Sequence, residues 1–337
     1  MNRPQQELRP KDVGIDQRRD AGGGCVMRLN RRRCEFVSGL PLVESESVQL
    51  GRGTARYLSR RIWGRDLVVL SYSVTPKLAV HSVPRRDWVV LLMPMNQQAD
   101  FAFNGRAARP FDLFLSAGPY GYTTTGKDRR NIAIGIRRTC LVSACSALAG
   151  VGPEDVELSD VVLPPEQDTG QRLRRTLIGV ARPGVGEPVS PGHFAMPEAV
   201  EKDLISMIAA QLLPALRRVP DATPFRADAL RVVRAATDAA KALPAPSLAE
   251  LCAAAGVSQR WLHKCFVDTL GASPYRYIRL ARLSKARDAL LTPEARPALV
   301  KCLALSLGYR LSGRFAAEYR SVFGENPTDT LRGSRKD

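Results

Sequence analysis

The chain has 337 residues, with 50 Lys and Arg against 33 Asp and Glu, a net charge of +17 and a pI near 10.1. Such a balance points to a polyanionic partner, either nucleic acid or an anionic membrane surface. At roughly 150 residues per domain, the length accommodates two domains. No run approaches the roughly 18 to 20 apolar residues that cross a bilayer, and the N-terminus carries Arg and Gly where a signal peptide needs an apolar stretch, so a soluble, cytoplasmic protein without a membrane partner is expected. The seven cysteines (25, 34, 140, 145, 252, 265, 302) are odd in number and form no CxxC pair, which argues against a disulfide framework or a zinc ribbon and for reduced thiols.

Residues 1–34 hold nine Arg/Lys and four Asp/Glu with no apolar period, and are expected to be a disordered basic tail. The segment 35–220 is expected to be β-rich, with some helix. Short β-favouring runs separated by turn signals fall at Leu67–Val74, Trp88–Met95, Phe101–Phe103, Phe111–Ser116, Tyr120–Thr125 and Ile132–Ile136. They predict a small sandwich or barrel, with DFAF and FDLFL paired as a hairpin across a long loop that opens with Asn104-Gly105. A short helix over Leu141–Leu148 ends at Gly150. A longer one over Glu198–Leu216 repeats Leu204, Ile208, Leu212 and Leu216 every four residues, with Pro214 near its end. That stripe suits either packing on the β unit or a homodimer seam, because both uses demand the same apolar face. Arg217–Pro224 reads as a linker.

The remainder, 225–337, contains an internal repeat with a period of about 52 residues. Cys252 stands four residues before Gly256, as Ala304 stands four before Gly308; Leu262 and Phe266 match Phe315 and Tyr319; and Gly271 with Pro274 matches Gly324 with Pro327. A small residue where two helices approach, a glycine where the chain turns and an apolar pair that packs back describe a helix-turn-helix, here present twice. In the first copy Leu248–Ala255 is the supporting helix, Gly256-Val257 the turn, Ser258 the N-cap and Gln259–Phe266 the recognition helix. The second copy spans Leu299–Phe323, and a helix from Ser273-Pro274, uninterrupted until Pro293, joins the two.

These segments, LAELCAAAGVSQRWLHKCF, GASPYRYIRLARLSKARDALL and LALSLGYRLSGRFAAEYRSVFGENP, resemble the DNA-binding domain of the AraC/XylS family over about residues 225–333. The resemblance implies a transcription regulator whose two recognition helices enter successive major grooves, about 34 Å apart. Its partner would be promoter DNA, with RNA polymerase and an unknown small-molecule effector as further partners and the N-terminal half, often cupin-like, as the sensor and dimerisation unit. By position, the family's base-reading sites fall on Gln259, Arg260, His263 and Lys264. Arg and Lys suit guanine, Gln suits adenine, and Arg260, His263 and Lys264 share one helix face. Trp261 and Leu262 are expected in the core. In the second unit Arg310, Ser312 and Arg314 are the candidate contacts. There the cap region is Arg310-Leu311, with Ser312 the nearest alternative, Gly313 disfavours helix, and Ala316 and Ala317 offer only methyl groups, so phosphate anchoring is expected to outweigh base reading. Residues 221–337 count 19 Lys/Arg and 11 Asp/Glu, a net of +8 that suits DNA.

No enzyme is expected. His81, His193 and His263 are too far apart for a metal-binding cupin cluster, no cofactor is implied, and no triad, Walker or GxGxxG pattern occurs at a usable junction. A DNA-repair enzyme would need a metal-bound nucleophilic cysteine, for which Cys25 and Cys34 are too few. A purely architectural protein would show no recognition face.

Overall fold

The computed structural model describes residues 42–95, 100–109, 111–118, 120–163, 168–181, 194–216, 224–242, 246–292, 295–309 and 311–333. The basic tail, nearly all of the linker, Cys25, Cys34, His193 and Arg310 lie outside them.

Apolar runs that are buried on both faces form the central strands of the first half. In order its elements are β1 (Val43–Gln49), β2 (Arg56–Trp63), β3 (Leu67–Thr75), β4 (Leu78–Pro84), β5 (Trp88–Pro94), β6 (Asp100–Phe103), β7 (Arg106–Ala107), β8 (Leu113–Ser116), β9 (Tyr122–Lys127), β10 (Arg129–Arg137), α1 (Arg138–Ala149), β11 (Val161–Leu163), α2 (Asp168–Ala181), β12 (Phe194–Ala195) and α3 (Glu198–Leu216). One sheet runs β1-β4-β9-β6-β7 and the other β11-β8-β5-β10-β3-β2-β12, all antiparallel except the β12–β2 pair. Every residue of β5 is buried because its two faces meet different layers. Trp88, Val90 and Leu92 point with Val68, Leu70 and Phe114 at Phe101, Phe103 and Tyr122 of the smaller sheet. Val89, Leu91 and Met93 point with Val69, Leu115, Ile132 and Ile134 at α1, α2 and α3. The two sheets stack without closing, so the sandwich alternative holds and the barrel does not.

One expectation changes here, and one open alternative is resolved. DFAF and FDLFL are not partners: β6 pairs with β7 and β9 in the smaller sheet, whereas β8 pairs with β5 and β11 in the larger. The reason is local. Asn104 (φ 48°) and Gly105 (φ 74°) both adopt the left-handed region and form a two-residue hairpin turn, so the chain reverses at once onto Arg106. The leucine stripe of α3 is intrachain core, with Leu204, Ile208 and Leu212 fully buried against the larger sheet. Glu201 in the first turn of α3 fixes that orientation. Its buried carboxylate accepts from the backbone N–H of Arg65 (2.9 Å) and Asp66 (2.6 Å) in the β2–β3 turn.

The second half is helical: α4 (Pro224–Ala242), α5 (Leu248–Ala255), α6 (Gln259–Leu270), α7 (Pro274–Leu290), α8 (Pro297–Ser306), α9 (Ser312–Phe323) and α10 (Pro327–Gly333). Its apolar core also includes Val48, Leu50 and Ala79, from β1, the residue after it, and β4, so the outer face of the smaller sheet is its floor. The molecule therefore has four layers: α1–α3, the larger sheet, the smaller sheet, and α4–α10.

Candidate nucleic-acid interface

The first repeat is built by capping at both ends of its helices. Ser247 and Glu250 form a reciprocal capping box at the start of α5, the Glu250 carboxylate accepting from Ser247 N–H (2.7 Å) and Ser247 Oγ from Glu250 N–H (3.2 Å). α5 stops at Gly256, whose φ of 66° suits glycine and little else. Ser258 Oγ then accepts from Trp261 N–H (3.3 Å), starting α6, which runs four residues beyond the expected Phe266. Leu262, Cys265, Phe266, Thr269 and Leu270 face inward, and Trp261 packs half-buried against the same core. Gln259, Arg260, His263 and Lys264 are exposed. Lys264 Nζ donates to Asp268 Oδ2 (2.8 Å), which draws its ammonium toward the C-terminal half and leaves Gln259, Arg260 and His263 as the donors nearest the helix start.

The second unit repeats the backbone and drops the cap. α8 is followed by Gly308 (φ 81°), and α9 begins at Ser312 with Leu311 in the cap position and no side-chain acceptor for its first N–H groups. Ser312 and Arg314 are exposed, Phe315, Tyr319 and Phe323 are buried, and Gly324 (φ 76°) ends the helix as Gly271 (φ 67°) ends α6. Pro274 and Pro327, three residues beyond these glycines, open α7 and α10.

α7 holds both units. Tyr277 meets Phe266 of α6 edge-on at 5.8 Å. Toward α9 the ties are ionic: the Arg279 guanidinium and the Tyr309 hydroxyl both donate to the Glu318 carboxylate, and Arg287 Nη2 donates to Glu325 Oε1 at 2.8 Å while lying 4.8 Å over the Phe323 ring. Bonding to Glu318 raises the Arg279 guanidinium above its ordinary value, so it stays charged; burial, aided by Glu318, pushes the Tyr309 phenol up to about 12, so it stays a donor. Thr330 completes the cluster, donating to Glu325 Oε1 (2.8 Å) and lying 2.9 Å from the Tyr319 hydroxyl.

A model for a helix-turn-helix domain matches residues 251–333. The XylDLEGF operon transcriptional activator of Pseudomonas putida is 41% identical over 91 residues, 27% of this chain and 28% of that protein. A probable thc operon regulatory protein of Rhodococcus erythropolis is 36% identical over 103 residues, 30% and 31% of the two chains. The C-terminal unit is an AraC/XylS-type helix-turn-helix domain. The matched region spans under a third of the length of these curated relatives. Among solved structures, a probable AraC family transcriptional regulator from Rhodopseudomonas palustris is 34% identical over 31% of this chain and 97% of its own, with a TM-score of 0.28. The AraC-like activator CuxR is 17% identical, covering 73% and 87% of the two chains, with a TM-score of 0.37.

Within the AraC/XylS-type domain the structure presents six of the seven candidate contacts on the exposed sides of α6 and α9; Arg310 lies outside the described residues. The residues that seat α9 were not singled out in the sequence. Arg287 carried a usable signal, since Leu283, Ala286, Arg287 and Leu290 fall at i, i+3, i+4 and i+7 and a charge in that apolar stripe needs a buried partner. Glu318 and Glu325 carried none, because nothing in a single sequence ties them to a helix nearly 40 residues earlier. No group of three metal-ligating side chains and no helix long and apolar enough to cross a membrane occur among the described residues.

Proposed function

We propose that the chain is a sequence-specific, effector-responsive transcription regulator. In this reading residues 225–337 bind promoter DNA and residues 35–220 sense a small molecule. One observation carries it: two recognition helices, the first capped by Ser258 and the second without a side-chain cap, each exposing polar donors at its N-terminal end, are joined by one helix within a single chain. Gln259, Arg260 and His263 read base edges, with Lys264 shared between Asp268 and DNA; Ser312, Arg314 and Arg310 chiefly hold phosphates. The Pseudomonas relatives are transcriptional activators of the XylDLEGF operon, which supports activation with RNA polymerase as a partner. The CuxR structure is likewise that of an activator, and a ToxT structure from Vibrio cholerae contains a bound unsaturated fatty acid. A homodimer would form through a surface other than α3, whose stripe is spent within one chain. Sedimentation at micromolar concentration decides between monomer and dimer.

The test is selection of bound duplexes from a random pool by the full-length chain, with and without candidate metabolites. Two short conserved elements with centres about 10 to 10.5 base pairs apart are expected. Recovery of unenriched sequence, or of one element alone, overturns the reading.

A further inference from the structure

The smaller sheet does more than floor the helical core, because it touches the C-terminal end of each recognition helix. On α9 the contact is polar and specific. The carbonyl of Val322, in the last turn, has no partner within its own helix by rule. It accepts from Gln49 Nε2 (2.8 Å) and from the backbone N–H of Gly53 (2.9 Å). The same Nε2 faces the carbonyls of Gly51 (3.0 Å) and Gly53 (2.7 Å), so one buried amide group knits the turn after β1 and the end of α9 together. On α6 the contact is steric. A side chain added at Gly105, the tip of the β6–β7 hairpin, would meet the Asp268 carbonyl at 2.4 Å and Thr269 Cα at 3.1 Å, so the hairpin backbone rests directly on the last turn of that helix. Between them Arg276 Nη2 of α7 donates to the Leu50 carbonyl (3.3 Å). The opposite ends of α6 and α9, with Gln259, Arg260, His263, Ser312 and Arg314, stay exposed in this arrangement. The sheet therefore holds both helices without covering either reading face.

We propose that the β unit sets the spacing at which the two recognition helices read DNA, with Gln49 as the positioning residue on α9 and the Asn104-Gly105 hairpin as the seat of α6. This rests on the two-helix reading above and adds how its geometry is fixed. If α7 and its ion pairs alone fixed the geometry, the contacts to the sheet would be dispensable for spacing. The two accounts separate on Gln49→Met, which keeps the volume and removes the donor, and on Gly105→Asn, which tolerates the left-handed backbone and drives a Cβ against Asp268.

Full-length wild type and both variants are titrated against the selected duplex and against duplexes with one base pair added or removed between the two elements, a change that rotates one element by about 35° relative to the other. Wild type is expected to lose about tenfold or more on either altered spacing. Both variants are expected to lose about threefold or less, while retaining the base preference of each element. A wild-type spacing penalty in both variants overturns the proposal and leaves α7 as the determinant. A readout without DNA accompanies it: amide exchange at Gly53, whose N–H shares the Val322 carbonyl with Gln49, should rise about fivefold to tenfold in Gln49→Met as the contacts of that amide group are lost. Unchanged exchange overturns the latch even if the chain selects no sequence, an outcome that would sink the two-helix reading separately.

Discussion

Arg260 and Arg314 occupy comparable places near the starts of α6 and α9, yet their surroundings differ. Arg260 sits on a helix capped by Ser258, beside Gln259 and His263, where a long donor can be aimed at a base edge. Arg314 follows Gly313 on a helix whose first N–H groups have no side-chain acceptor. Arg260→Ala is therefore expected to cost about 1 to 3 kcal/mol on the preferred site and to change which base is preferred. Arg314→Ala should weaken all sequences alike and lower the salt slope by about 1. Binding isotherms on the selected site and its single-base variants, at two salt concentrations, check both; an exchange of the two phenotypes reverses the assignment. The caps make a paired expectation. Ser258→Ala should destabilise the helical unit by about 1 kcal/mol, whereas Leu311→Ser, replacing an exposed leucine at an empty cap, should stabilise it by a similar amount in urea unfolding. The Ser258 cap was legible in the sequence, because capping depends on neighbours within one turn; Ser247, with Glu250 three residues on, offered the same kind of signal and was not named. Gln49 was not legible, since its partner at Val322 lies 273 residues away.

Among the elements, those whose surroundings are uniform were the legible ones. β3, β5 and β10 carry unbroken apolar runs since both faces of the larger sheet are covered, by helices on one side and the smaller sheet on the other. β1 (VESESVQ) and β2 (RYLSRRIW) escaped notice because their composition is polar. In β1, an edge strand, Glu44 and Glu46 remain exposed while Val43 and Val48 serve different cores. α2 carries a weaker signal of the same kind: Leu173 and Leu177, four apart in an Arg-rich stretch, are both buried. The stripe of α3 was visible, and its two uses could not be separated without knowing what it faced. With Ile208 fully buried against the larger sheet, Ile208→Ala should cost about 2 to 5 kcal/mol in urea unfolding and leave the sedimentation coefficient of the folded protein unchanged. A change of oligomeric state without that loss would return α3 to a seam between chains.

For the molecule as a whole, the contact between the smaller sheet and the helical unit is where charge, packing and reading geometry meet. His81 on β4 lies in it, its Nδ1 3.1 Å from Thr123 Oγ1. Its imidazole is held below the ordinary value of 6.5, first by burial and then by Arg234 of α4, with Lys241 acting in the same sense and Glu46 and Asp238 against it. Since the native value is the depressed one, the neutral ring's contribution is complete above about pH 6.5 and is lost as pH falls through the native value. Stability measured from pH 7 to pH 5 should decline, and His81→Asn, which cannot titrate, should flatten that decline; parallel profiles would remove His81 as the cause. The same contact bears on how such a protein can be cut and rejoined. A break in the 217–223 segment follows the chain, but the helical core does not end there, because Val48, Leu50 and Ala79 belong to it. A helical half fused to a foreign sensor would lack that apolar floor, and the Val322 carbonyl in the last turn of α9 would lose Gln49. Successful chimaeras should be those in which the new sensor supplies a floor of its own, so the unit of exchange is a surface rather than a segment.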